Sequence, residues 1–415
     1  MTSSVLGSVT LGYRPLWNQR RDLAGVQLFV EAGQQGAIDA VHLLDALAEL
    51  DTLTTPPLLL SMQSRQLLCD MLDHAPANDG THWIEVRQEW LTDAAMAQRV
   101  RAAHQRGLRL VWRGPAEQPP EADLARCFVR SLITLSPQGA LAALQAGAAQ
   151  RDVSSLTSAA ATRSPVLAGQ IYEGVASRAL MAHCLDQQNA YALLGWPDED
   201  ILHSHRHQAI APEHRTMMRV IKAVEADQSM EQIEAVLSEE PVLAYRFLAY
   251  VNSAGVGVRT GVESLRHGLM MLGYASLAKW LVAQLPQASE DNNLHPVKAA
   301  MVLRARLMEH LLDAGTEDAL RRDIYLCGLF SQLDLLLGEP LGTVLRRIPL
   351  SDRIYDATVK HAGPYASSLE IACAQATDDT KAIRALCRKH NLPIDDANRA
   401  LLRTLVTLKV QPASR

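Results

Sequence analysis

The stretch MEQIEAVLSEEPVLAYRFLAYVNSAGVGVRTGVESLRHGLMMLG (230–273) decides how the second half of the chain is read. Its apolar residues return every three or four positions, which predicts helices over 230–240, 241–253 and 264–272. The punctuation agrees with that spacing. Ser229 and Gln232 stand at capping-box distance, and Pro241, just after Glu240, suits a first helical turn because an N–H there has no partner to lose. Asn252 and Ser253 can bond free backbone groups at a helix end, and Gly255 and Gly257 let the chain reverse. Ser264 then opens a helix that closes on Leu272-Gly273.

The same helical texture continues outward. It covers MMRVIKAVEA (217–226), YASLAKWLVAQL (274–285), VKAAMVLRARLMEHLLDA (297–314) and LRRDIYLCGLFSQLDLLLG (320–338). SDRIYDATVKHAG (351–363), TKAIRALCRKHN (380–391) and DANRALLRTLVTL (396–408) follow, with Gly315 and Gly363 as helix stops. Before residue 200 the pattern changes. VQLFV (26–30), PLLLSM (57–62), HWIEV (82–86), LRLVW (108–112) and CFVRSLITL (127–135) are short apolar runs that predict buried strands. Between them lie helical stretches such as AIDAVHLLDALAEL (37–50), SRQLLCDMLDH (64–74) and DAAMAQRVRAAHQRG (93–107). Five or six such βα units predict a parallel sheet, either barrel-like or open. SSLTSAAATRSP (154–165) is small and polar and reads as a loop. The expected fold class is α/β plus all-α, with an N-terminal domain over 8–198, a helical domain over 199–410 and a linker near ILHSHRHQAIAPEHR (201–215).

Composition narrows the function classes. The 415 residues are 48% apolar, 20% charged and only 5% aromatic, a globular balance rich in helix formers. A net charge of −5 supplies no basic field for nucleic acid. No apolar run approaches the roughly 18 residues of a membrane span. The opening MTSSVLGSVTLGYRPLW lacks a signal-peptide layout, and the six cysteines contain no CxxC pair. A cytoplasmic protein with reduced thiols, no membrane and no nucleic-acid partner is expected.

With those motifs in order, 230–273 resembles the opening of the HDOD domain, an all-α relative of the HD and HD-GYP phosphohydrolases. The matching positions are Glu240-Pro241, Asn252-Ser253, Gly257 and Ser264 through Leu272-Gly273, which the resemblance marks as structural or interaction residues. The run 326–364 resembles a subfamily in which HDOD follows an EAL-like domain. Catalytic HD enzymes keep a metal-binding His-Asp pair where this chain has Ser331-Gln332, and neither side chain replaces carboxylate and imidazole. Asp334, His310 and His361 nearby read as ordinary polar positions.

The N-terminal half is similar to EAL domains, βα barrels that hydrolyse cyclic di-GMP with two divalent metals. GYRPLWN (12–18) and AGVQLFVEA (24–32) resemble that family's opening, but its metal-binding Glu falls on Gln27. The metal Asn falls near Leu60-Ser61, a catalytic Glu near Gln88 and the Asp-Asp pair within Val111-Trp112-Arg113-Gly114. The catalytic Lys falls near Arg130 and a late Glu near Ala168-Gly169-Gln170. Two-metal hydrolysis needs a carboxylate cage, and these neutral and basic residues do not provide one. The resemblance therefore implies a degenerate TIM-barrel-like (EAL-like) domain, shortened by lost elements, followed by HDOD. Trp112 and Trp196 are candidates to fill the mouth where ligand once sat.

Other signals are weaker. His203, His205 and His207 form HxHxH without a fourth ligand in an apparent linker, so a polar linker outweighs a metal site. AGVGVRTG (254–261) follows a helix, whereas a phosphate loop follows a strand. No catalytic residue, metal or cofactor is expected. The expected function is that of a non-enzymatic bacterial regulator of motility, biofilm or virulence that binds other signalling proteins. The alternatives are a cyclic di-GMP receptor using Arg14, Arg113 or Arg130, and a residual phosphodiesterase. The family leaves room for a homodimer.

Overall fold

A computed structural model describes residues 5–33, 40–48, 56–76, 82–151, 164–207, 210–254, 261–312 and 317–408. Gly255, Gly257 and Gly315, and most of 154–165, lie outside them. The chain divides into two compact units, one formed by residues 1–200 and 374–415 and the other by 201–373.

The first unit is an eight-stranded closed barrel. Its strands are β1 (Val9–Trp17), β2 (Leu23–Ala32), β3 (Leu58–Met62), β4 (Trp83–Arg87), β5 (Arg109–Pro115), β6 (Phe128–Thr134), β7 (Ile171–Glu173) and β8 (Ala192–Leu194). β1 runs antiparallel to both neighbours, β2 and β8, and every other pairing is parallel. All five apolar runs became strands. The three-residue β7 and β8 are too short for a pattern of their own, so the barrel is closed where five or six units were expected. Between β5 and β6 the connection carries only a four-residue helix, Ala122–Ala125. Inward-facing Leu16, Leu59, Trp83, Val111, Leu132, Ile171 and Leu194 fill the lower barrel.

β8 meets β1 only at Leu16 and Trp17, which leaves the earlier part of that β1 edge without a strand. The helix Ile394–Val406 takes its place. The buried Asn398 carboxamide accepts from the Leu11 N–H at 3.0 Å and donates to the carbonyls of Leu6 at 2.7 Å and Val9 at 3.0 Å. The helix Thr380–Lys389 adds Arg384, whose Nε donates to Thr10 Oγ1 at 2.9 Å. Gly12 permits the close approach, since a β-carbon there would collide with the Thr377 carbonyl. The expected helical domain over 199–410 therefore ends early. Residues 374–408 complete the barrel, because these amphipathic helices bury Ile383, Cys387, Leu401 and Leu405 on the same unit as β1.

The second unit is helical, and its caps follow the sequence. Ser229 and Gln232 form the capping box, Glu240 caps the Leu243 N–H ahead of Pro241, and Ser264 accepts from the His267 N–H at 3.2 Å. Asn252 closes the turn: its Nδ2 donates to Leu248 O at 2.8 Å and Val262 O at 2.9 Å, while its Oδ1 accepts from Val262 N–H at 2.8 Å. Ser253 Oγ donates to Tyr250 O at 2.7 Å, and Gly273 ends Leu265–Leu272 at φ 72°. The expected single helix over 320–338 is two, Asp318–Phe330 and Leu333–Leu337, broken at Ser331-Gln332. Buried Glu240 pairs with buried Lys298, and buried Glu213 pairs with His295 at 3.1 Å.

Candidate functional site at the barrel mouth

Parallel strands bring their C-terminal ends to one rim, the usual place for chemistry in a βα barrel. Here the rim encloses a cavity of about 570 Å³ lined in part by Phe29, Gln63, Arg87, Gln88, Arg113, Thr134, Glu173 and Asp378. Strand alternation sets what points inward. Val111 faces the core, so Arg113, two residues on, also faces in, and Trp112 between them faces out.

Glu85 is the centre of the network and is 1% exposed. Its Oε2 accepts from Gln27 Nε2 at 2.5 Å, and its Oε1 lies 3.2 Å from both Arg87 Nε and Arg113 Nη1. Arg113 also clasps Glu173 with two donors, Nε at 3.1 Å and Nη2 at 2.8 Å. Such a fork against a carboxylate is the strong form of the ion pair. Burial alone would lower the Arg113 pKa, but the charges of Glu85 and Glu173 outweigh it and hold it above its ordinary value. Arg87 sends Nη2 to Gln63 Oε1 at 3.1 Å and stacks 5.0 Å over Trp90. Thr134 Oγ1 donates to Glu173. At the edge, Asp378 pairs with Arg14 at 2.9 Å.

The sequence reading brought Gln27, Gln88 and Arg113 to this mouth, and placed Ser61 on the inward face, where Leu59 lies two residues earlier. It missed Glu85 and Glu173, the two carboxylates that matter, because the aligned motif positions fall beside them. Alternation within IEV (84–86) was the available signal for Glu85. Trp112 does not fill the mouth; it is 2% exposed on the outer face and donates to Gln88 Oε1 at 2.7 Å. Trp196 packs edge-on to Trp17 at 6.5 Å. Arg130 is not in the mouth either. It lies 3.7 Å over the Tyr191 ring and 5.7 Å from that of Trp83, on the lower barrel core.

These residues do not fit a two-metal centre. Glu85 and Glu173 are each held by a guanidinium, Gln27 and Ser61 are neutral, and Gln27 Oε1 and Ser61 Oγ are buried without a hydrogen-bond partner. In the helical unit Arg304 Nη1 donates to Ser331 Oγ at 3.0 Å, so a cation again stands at the neutral pair. His205 turns to Asp291 at 3.2 Å, and no group of three potential ligands that could hold a metal ion occurs among the described residues. His203 and His207 therefore do not assemble a site with it there. No helix among the described residues is long and apolar enough to cross a membrane.

Residues 210–337 match the model of the HDOD domain, in agreement with the caps and turn described above. The chain is 22% identical over 197 residues to the cyclic di-GMP phosphodiesterase CdgJ of Vibrio cholerae serotype O1, covering 46% of this chain and 45% of that protein. It is 25% identical over 165 residues to the uncharacterized protein YuxH of Bacillus subtilis, covering 39% and 37%. The chain thus spans less than half the length of these curated relatives in the matched regions. Among solved structures, the MmoQ response regulator from Methylococcus capsulatus aligns with a TM-score of 0.38 at 15% identity, over 47% of this chain and 98% of that one.

Proposed function

We propose that this chain is a non-enzymatic regulator, an EAL-like barrel combined with an HDOD domain, that acts through protein contacts within cyclic di-GMP-linked signalling. The observation that carries the reading is Arg113, fixed between Glu85 and Glu173. A divalent ion would have to displace this part-buried guanidinium and break its charge-assisted hydrogen bonds to the two carboxylates. The HDOD domain and the relative named a cyclic di-GMP phosphodiesterase support the signalling context.

The test is incubation of the intact chain with cyclic di-GMP and Mg²⁺ or Mn²⁺, followed by product analysis. No product above a no-protein control is expected, and steady turnover refutes the reading. Affinity capture then asks for the partner. The fragments for that experiment follow the structure: 201–373 on one side, and a barrel retaining 374–408 on the other.

A further inference from the structure

At the opposite end of the barrel, where the parallel strands begin, the charge is of one sign. The residues that open β4 to β8 are His82, Leu108-Arg109, Arg126 to Arg130, Val166 to Gln170 and Asn189 to Tyr191, and they include no Asp or Glu. Arg109 lies two residues before inward-facing Val111 and Arg130 two before Leu132, so both guanidiniums face the lower opening. Arg130 donates to the Gly169 carbonyl and lies over the Tyr191 ring. Burial raises the Tyr191 pKa, and the charges of Arg130 and Arg109 oppose it, so the two cations converge on one ring. Arg126, two residues before β6, is exposed, as is Arg109. None of the three forms an ion pair among the described residues; Arg126 makes none with Asp123, one turn before it.

Aliphatic surface lies among these charges. Phe128 pairs with Leu110 and Arg130 with Val111, which leaves Val129 as a bulge residue outside the ladder and 51% exposed. Leu167, in the turn that leads to Gly169, is 53% exposed. That turn is pinned at both ends: the Leu167 N–H donates to Tyr172 Oη at 2.5 Å and the Gly169 N–H to the Asn189 carbonyl at 2.9 Å. Nucleic acid fits this rim poorly, because bases stack on open aromatic faces, whereas Trp83 is buried and Arg130 covers Tyr191.

From three unpaired guanidiniums set beside two exposed aliphatic side chains, we infer that the lower rim of the barrel is a docking surface for an acidic segment of a partner protein, in which carboxylates alternate with leucine-like side chains. The inference rests on the reading that this chain acts through protein contacts, and gives that reading a place and a partner chemistry. A guanidinium takes a carboxylate with two parallel donors. Arg130 is already fixed by Gly169 and Tyr191, so it loses little freedom on binding. Exposed ion pairs alone hold weakly, and contact with Val129 and Leu167 adds the apolar burial they lack.

Calorimetric titration of the intact chain with the peptide acetyl-Glu-Leu-Asp-Glu-Leu-Asp-amide tests this. Saturable binding that weakens with added salt is expected. The double variants Arg109→Gln/Arg126→Gln and Val129→Ser/Leu167→Ser, altered only at exposed side chains, should each bind about tenfold more weakly while circular dichroism shows them folded. Silence at high millimolar peptide overturns the inference, as does unchanged affinity in either double variant. Equal binding of a peptide with Lys in place of every Glu and Asp overturns it too. So does an oligothymidylate that binds more tightly than the peptide and is lost in the arginine variant. Failure of the wider reading is distinct, because it appears as product in the hydrolysis assay. A partner captured equally well by the arginine variant removes this surface and leaves the regulator reading standing.

Discussion

Replacing Asn398 by Ala should open the barrel along β1. The side chain satisfies three buried backbone groups, the Leu11 N–H and the Leu6 and Val9 carbonyls, that no strand reaches. Leaving a buried polar group unpaired costs about 1–3 kcal/mol, and water entering the space left by the shorter side chain recovers part of that. A loss of about 3–6 kcal/mol follows, a large share of the roughly 5–15 kcal/mol that holds a typical domain folded. Asn398→Asp keeps the acceptor for Leu11 but turns a carboxylate toward two carbonyls, so it should be at least as damaging. Urea unfolding followed by tryptophan fluorescence reads this directly, because Trp17, Trp83, Trp90, Trp112 and Trp196 belong to the barrel unit and only Trp280 to the helical one. The fluorescence transition should move to lower urea, while helical circular dichroism of the 201–373 unit changes little. A shift in Asn398→Ala below about 0.5 kcal/mol would refute the claim that this amide stands in for a strand.

Three further outcomes follow from the same geometry. Arg113→Met should destabilise the barrel by about 1–3 kcal/mol, because Glu173 is left with Thr134 alone and Glu85 with Arg87 and Gln27; urea melts of the two proteins at pH 7 read the difference. Glu213 is buried, which alone would raise its pKa, but the His295 hydrogen bond and the charges of His295 and Lys298 bring it down to about 2. Its contribution, on the order of 3 kcal/mol, is therefore complete above the unfolded carboxyl pKa and is lost as pH falls from about 5 toward 2. Glu213→Gln should flatten that acid limb in a pH series of thermal melts. Asn252→Ala removes both bonds to Val262, and should cost about 1–3 kcal/mol and raise amide exchange at Val262 if the clasp holds the turn.

Much of this was legible because local rules sufficed. Helix caps at Ser229, Glu240 and Ser264 depend on neighbours three residues away, so the sequence displays them. β2 to β6 announced themselves as apolar runs, whereas β1 entered only through the resemblance of GYRPLWN (12–18). β7 and β8 did not, since a three-residue strand has no period to read, and they exist through pairing with neighbours. The return of 374–408 was equally hidden. Its helices look like those before them, and only the pairing of Asn398 with residues almost 390 positions earlier tells them apart. At the mouth, comparison by motif position selected Gln88, Trp112 and Arg113. Alternation keeps Arg113, turns Trp112 outward and adds Glu85, which Arg113 faces.

The closure of β1 by Asn398 also imposes a timetable on synthesis. When β8 at 192–194 leaves the ribosome, the partner of the β1 edge is still about 200 residues from being made. At about 5–20 residues per second, that edge stays open for about 10–40 s while the whole helical unit is translated. An unpaired strand edge is a template for intermolecular pairing. The barrel is begun before the helical unit and finished after it, so the β1 edge lacks its helical cover throughout that interval.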